Sequence, residues 1–191
     1  MIPQPVDPGH FQKLYEQAYV ERLERYGEKD QRTAEVARNL GRLLSSHGDR
    51  AGAETWLRRA LAIDTDLYPG RHKQIAEDQE ALAAVVAGDS ERRELLRQAS
   101  RCDDPGVAAS NLAKLASLEG NDVVLLKQAL AKQEQATGAQ SAKVAVRLNH
   151  LGLAVDPPQA IPLFRRALAI NERALGKDHP ETATTLNNLS N

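Results

Sequence analysis

Apolar residues recur along the chain at i, i+3, i+4 and i+7, the spacing that gathers them on one face of an α-helix. Ala53, Trp56, Leu57, Ala60 and Leu61 form one such stripe. An alanine embedded in the same kind of stripe returns at Ala18, Ala60, Ala99, Ala129 and Ala167, at spacings of 42, 39, 30 and 38 residues. Between these lie segments of a second type. Asn39-Leu40-Gly41-Arg42-Leu43 resembles Asn111-Leu112-Ala113-Lys114-Leu115, and Leu148-Asn149-His150-Leu151 resembles Leu186-Asn187-Asn188-Leu189. Two helix types alternating in five uneven units mark a repeat array.

The stripes predict ten helices, at about residues 9–26, 31–47, 50–67, 71–87, 90–101, 105–119, 121–137, 140–154, 158–175 and 180–190. Gly27, Gly48, Gly70, Gly88, Gly120, Gly138 and Gly176 each follow a stripe, where a left-handed residue closes a helix. Asp104-Pro105, Asp156-Pro157 and His179-Pro180 each precede one, with Pro where its missing N–H costs nothing. Pro162, four or five residues into its helix, is a candidate bend. Short connections make consecutive helices antiparallel, and such hairpins bury their stripes only against neighbouring hairpins. The expected fold is all-α: a right-handed α-solenoid of antiparallel helix pairs, one domain over residues 1–191 and part of a longer array or larger protein.

Composition agrees, since aromatics make up only 4% of the 191 residues, so Ala and Leu carry the packing. That suits closely approaching helices rather than one large core. A formal net charge of -1 provides no overall field to draw in nucleic acid or an anionic membrane. The expected setting is cytoplasmic, because residues 1 to 10 lack a basic start followed by an apolar run and no stretch of 18 apolar residues occurs.

Candidate chemistry is sparse. The histidines, His10, His47, His72, His150 and His179, stand singly, away from metal-ligand spacing, so no metal or cofactor is expected. Asp64-x-Asp66 and Asp103-Asp104 lack the rest of a calcium loop, and Asp104 is better placed as a helix cap. Cys102 beside two acidic residues is a poor nucleophile. Gly176-Lys177 lacks the other parts of a phosphate loop and reads as a turn. The Arg58-Arg59 and Arg165-Arg166 pairs diverge by about 100 degrees around a helix and read as solvated faces. Nothing pairs a nucleophile with a base, so no catalytic residue is assigned and the protein is not expected to be an enzyme.

The stretch from Ala160 to Leu189 resembles the tetratricopeptide repeat of the kinesin light chain type, through Phe164 to Ile170, Ala174 to Pro180 and Leu186 to Leu189. Residues 11–63 fit the general repeat pattern, with Leu40, Gly41, Ala53, Leu57 and Ala60 at packing positions. Residues 70–135 match loosely, with Arg92 where the pattern has Ala. The resemblance implies a protein-interaction scaffold whose concave face, lined by the first helix of each unit, accepts a peptide or a helix. Aligning the packing leucines Leu40, Leu82, Leu112, Leu151 and Leu189 places Arg38, Glu80, Ser110, Asn149 and Asn187 at the position where the family uses Asn against a bound backbone. Arg42 and Lys114 lie two residues after the same leucine. The expected groove residues are therefore Arg38, Arg42, Glu80, Lys114, Asn149 and Asn187, and the cations favour an acidic protein or peptide segment. Asn149 and Asn187 could instead bond between repeats. Two further classes remain open: a sensor or oligomerisation segment of a larger regulator, and a self-associating module. Leu186 and Leu189 lack a following helix, so either the array continues or two chains cover each other's ends as a homodimer.

Overall fold

The computed structural model describes residues 8–70 and 72–190, and the side chains from residue 12 onward. Arg71, expected to open a helix, and the side chain of His10 lie outside the described residues. The elements are α1 (Pro8–Tyr26), α2 (Gln31–Ser46), α3 (Arg50–Leu67), α4 (Lys73–Val85), α5 (Asp89–Ala99), α6 (Pro105–Leu118), α7 (Val123–Thr137), α8 (Ala142–Leu153), α9 (Pro157–Ala174) and α10 (Pro180–Ser190). The described residues contain no strand, and the fold is an all-α helical repeat. Where α9 contains Pro162 it runs on as one helix. None of the described helices is long and apolar enough to cross a membrane.

Local chemistry sets the boundaries. Asp30, Asp49, Asp104, Asp122 and Ser141 each accept a backbone N–H of the first turn of the helix that follows, satisfying a donor the helix leaves unpaired. The expected glycine stops hold with one exception. Gly27, Gly48, Gly70, Gly120, Gly138 and Gly176 have positive φ, whereas Gly88 does not. Helix α4 ends earlier, at the extended Val86, and a side chain closes it. Arg92 donates from Nε to the Ala83 carbonyl at 3.1 Å and from Nη2 to the Val86 carbonyl at 2.8 Å. The arginine that departs from the repeat pattern therefore takes over the work of a C-terminal glycine.

The chain divides into two compact units, Met1–Ala99 with α1 to α5 and Ser100–Asn191 with α6 to α10. In each, neighbouring helices form antiparallel hairpins. Helices α2, α4, α6, α8 and α10 are designated type A, and α1, α3, α5, α7 and α9 type B. In the first unit Tyr19, Ala37 and Ala60 are buried together, with Val36 and Trp56 against them. Trp56 meets Tyr19 edge-on at 4.9 Å, and Arg59 lies over both rings. Its neighbour Arg58 bridges Glu54 and Glu91 at 2.7 Å each, so that arginine pair is structural. In the second unit Val144, Ala145, Leu148, Ala167 and Ile170 form the core between α8 and α9.

Close approach within a hairpin rests on one residue. A Cβ on Gly152 would stand 2.5 Å from Phe164 Cε1, and one on Gly41 would stand 2.7 Å from Leu57 Cγ. Each glycine is the notch that receives the large side chain of its partner helix. Gly152→Ala is expected to cost about 1–3 kcal/mol through overpacking. A lower urea midpoint by circular dichroism is the expected result, and an unchanged midpoint would show that Phe164 has room to retreat.

Candidate functional site

Polar residues occupy a few positions inside the apolar stripes, and they meet where one hairpin stacks on the next. In the first unit Arg38 of α2 is buried and ion-paired with Asp64 of α3 and Asp78 of α4, both wholly buried. The Gln74 side-chain carbonyl, in the amide orientation that satisfies both groups, accepts from Arg38 at 3.0 Å. Two carboxylates against one guanidinium leave an excess negative charge away from water. Burial accordingly pushes the Asp78 carboxyl up to about 7, against the opposing pull of Arg38.

The second unit repeats this arrangement with neutral groups. Asn149 of α8 is buried and donates to Thr185 Oγ1 of α10 at 2.7 Å, while Asn171 of α9 donates to the same oxygen at 3.1 Å. In both junctions a residue of one A helix meets a residue late in its B helix and a third in the next A helix. The last two are separated by 14 residues in each case, Asp64 to Asp78 and Asn171 to Thr185.

Burial fixes the register of the remaining helices. Ala108, Ala109, Leu112, Leu115 and Ala116 of α6 are buried in the same order as Val144, Ala145, Leu148, Leu151 and Gly152 of α8. That correspondence puts Ala113 where α8 has Asn149 and α2 has Arg38. The buried Gln133 of α7 corresponds to Asn171, and 14 residues on from it comes Arg147 of α8. At this junction the polar side chain of the first A helix is reduced to a methyl, and the acceptor of the second is replaced by a cation.

A cleft of about 350 Å³ occupies this junction. Ser110, Ala113, Lys114 and Ser117 of α6 and Arg147, His150 and Leu153 of α8 line it, together with Asn121 and Leu126. Helix α2 packs on α4 and α8 on α10, while α6 and α8 share a buried cluster of Ala116, Leu126 and Leu151 beneath the cleft. Arg147 Nε is buried and has no hydrogen-bond partner. Burial pulls the Arg147 guanidinium below its ordinary value, and His150 is lowered first by partial burial and then by the Arg147 cation. The walls carry cations and hydroxyls, and no carboxylate lines them. Among the described residues no group of three or more His, Cys, Asp or Glu could hold a metal ion. Cys102 is buried, and its thiol is raised by that burial first.

The comparisons with known proteins bear on the fold. Tetratricopeptide repeat models match residues 33–63 and residues 156–191. These two segments carry tetratricopeptide repeats. In fold it is similar to BtubC (BKLC) from P. vanneervenii, with a TM-score of 0.75 at 21% identity over 97% of this chain and 82% of that one. It is also similar to the nearly identical TPR-like repeats of a candidate kinesin light chain from Podosopora anserina, with a TM-score of 0.66 at 19% identity over 87% of this chain and 88% of that one. No curated protein matches it significantly in sequence.

Within the tetratricopeptide register, the expected groove residues fall into different environments. Arg38 does not line a groove, because its guanidinium is engaged by Asp64 and Asp78. Asn149 is likewise directed inward, as the inter-repeat bond to Thr185. Arg42 and Asn187 are exposed on α2 and α10, and Glu80 is half-buried on α4. Lys114 lines the cleft, yet in a different register from the one expected. The packing leucine of α6 is Leu115 rather than Leu112, so Lys114 corresponds to His150, and Ala113 replaces Ser110 at the inward position. Arg147, His150, Asp78 and Thr185 were not among the expected residues. The 14-residue spacing of polar residues within apolar stripes is the signal that finds Asp78, Thr185 and Arg147.

The first junction has a pH signature. The folded-state carboxyl of Asp78 lies above the unfolded value of about 4, so its contribution is complete below about pH 4 and is lost as pH rises through about 7. The urea midpoint should therefore fall between pH 5 and pH 8, and Asp78→Asn should flatten that slope. Arg38→Met leaves two buried carboxylates without their cation and is expected to cost about 3–5 kcal/mol. A midpoint independent of pH in the unaltered protein would contradict the shared burial of this triad.

Proposed function

We propose that the protein is a non-catalytic scaffold that binds a segment of a partner protein along the face presented by its A helices. The observation that carries this reading is the cleft between α6 and α8, lined by Lys114, Arg147, His150 and two serines without a carboxylate. Such a lining suits an acidic segment, because each charge-assisted contact is strongest where water is partly excluded. The scaffold role fits the tetratricopeptide repeats on either side of this region, at residues 33–63 and 156–191. Asn187, exposed on α10 of the same unit, is proposed as a further contact, and Arg42 and Glu80 as contacts on the A helices of the first unit taken by itself.

The test is fluorescence anisotropy with a library of labelled acidic decapeptides against the intact chain. Saturable binding that weakens with added salt is expected, and Lys114→Glu should weaken it about tenfold or more with the thermal midpoint unchanged. An absence of saturable binding across the library, or binding indifferent to both salt and Lys114→Glu, would contradict the reading.

A further inference from the structure

The polar side chains around the cleft between α6 and α8 share one property: each can donate a hydrogen bond, and none is acidic. Arg147, Lys114, His150, Asn121, Ser110 and Ser117 come from α6, from α8 and from the turn between α6 and α7. Elsewhere in the chain such groups are used internally. Arg38, Arg58, Arg92 and Arg166 are each ion-paired with an acidic side chain. The hydroxyls of Thr55, Thr65, Thr184 and Ser190 are tied to a carbonyl four residues back in their own helix. Among the described residues Arg147 is in no ion pair, its buried Nε has no partner, and the Ser110 and Ser117 hydroxyls make no such helical bond.

Asn121 is unusual in its backbone as well. Among the described residues it is the one non-glycine with positive φ, at 64 degrees. Its backbone N–H is used on the Ala116 carbonyl at 2.7 Å, and it also lines the cleft. Glycine adopts this conformation with less strain, so what Asn adds here is its amide. The His150 imidazole is lowered by burial and by the Arg147 cation, against the pull of Glu181, and is therefore an uncharged donor at neutral pH. A carboxylate has two oxygens in one plane, and a single guanidinium fork satisfies it. Donor side chains drawn from three elements exceed that capacity. A phosphoryl group, with three strong acceptor oxygens and close to two negative charges at neutral pH, matches both the number and the charge. At about 350 Å³ the cleft is larger than a phosphoryl group and lies at the small end of the range for small-molecule sites. Its remaining lining is apolar, with the buried Leu126 and with Leu153, which is 67% exposed.

We infer that this cleft binds a small phosphorylated metabolite, a phosphomonoester whose phosphoryl group is held by Arg147, Lys114, Asn121 and the two serine hydroxyls and whose carbon skeleton lies against Leu126 and Leu153. This goes beyond the scaffold reading, in which the same cleft faces a segment of a partner protein. Both occupants need the space beside Arg147, so the metabolite excludes the segment and the scaffold becomes responsive to a small molecule. Arg147 determines specificity, because its planar fork engages two phosphoryl oxygens at once.

The experiment titrates the intact chain by isothermal calorimetry, in the absence of any peptide, with glycerol phosphate, AMP and inorganic phosphate. Glycerate and adenosine serve as the matched compounds without a phosphoryl group. Glycerol phosphate or AMP should bind saturably, about tenfold or more tighter than its matched compound and tighter than inorganic phosphate. Arg147→Met should remove this binding, and Arg147→Lys should restore part of it. Circular dichroism establishes that each variant is folded. If Arg147→Met fails to fold, Ser117→Ala and Asn121→Gly, both at exposed positions, supply the second readout, each weakening the phosphomonoester severalfold. A phosphomonoester that binds no better than its matched compound, or binding that survives Arg147→Met, would overturn the inference and leave the scaffold reading in place. Inorganic phosphate binding as tightly as both esters would overturn the metabolite in favour of free phosphate. A phosphoserine decapeptide binding more tightly than either ester would overturn it in favour of a phosphorylated partner. Esters that bind where no acidic peptide does would support this inference while contradicting the scaffold reading.

Discussion

A helix hairpin in this protein can bury its apolar stripe only against the next hairpin, so everything depends on what happens where two A helices meet. A polar side chain at that meeting point leaves water and must find its partner across the junction. Arg38 finds Asp64 and Asp78, and Asn149 finds Thr185. These pairs set which face of each A helix turns inward and hence which residues remain outside. The glycine notches at Gly41 and Gly152 bring α2 close to α3 and α8 close to α9. Packing alone tolerates a slip along the stripe, whereas a buried charge without its partner does not.

Seen through this constraint, the cleft between α6 and α8 is the same junction with its own partner left out. Ala113 and Arg147 are ordinary residues on separate helices, and each becomes informative only beside its counterpart, Arg38 or Asn149 for one and Asp78 or Thr185 for the other. Of the junctions within the two units, the chain closes two with its own polar pairs, while at the third Arg147 Nε has no partner. A recognition site made in this way requires no extra loop or insertion.

Much of the architecture was legible in the sequence because helical periodicity and cap chemistry are local. The alanine-centred stripes place ten helices close to where they occur, and Asp104 before Pro105 marks a cap that forms as expected. The site was far less legible. On α6 both Leu112 and Leu115 lie on the apolar stripe, and a shift of three residues moves the alignment by less than one helical turn. Pattern alone therefore accepts either leucine, and the wrong choice assigns Ser110 in place of Ala113. Arg38 was misplaced for a different reason. Its burial depends on Asp64 and Asp78, which lie 26 and 40 residues away. Nothing local distinguishes an arginine bound by its own chain from one offered to a ligand.

The most direct measurement of this account is to close the open junction from within by Ala113→Asn, giving α6 the inward amide that α8 carries at Asn149. The account predicts that the protein stays folded, that its thermal midpoint is maintained or raised, and that binding of acidic segments is lost because the new side chain occupies the space beside Arg147. Undiminished binding by a folded Ala113→Asn variant would contradict the claim that the missing side chain is what makes the site.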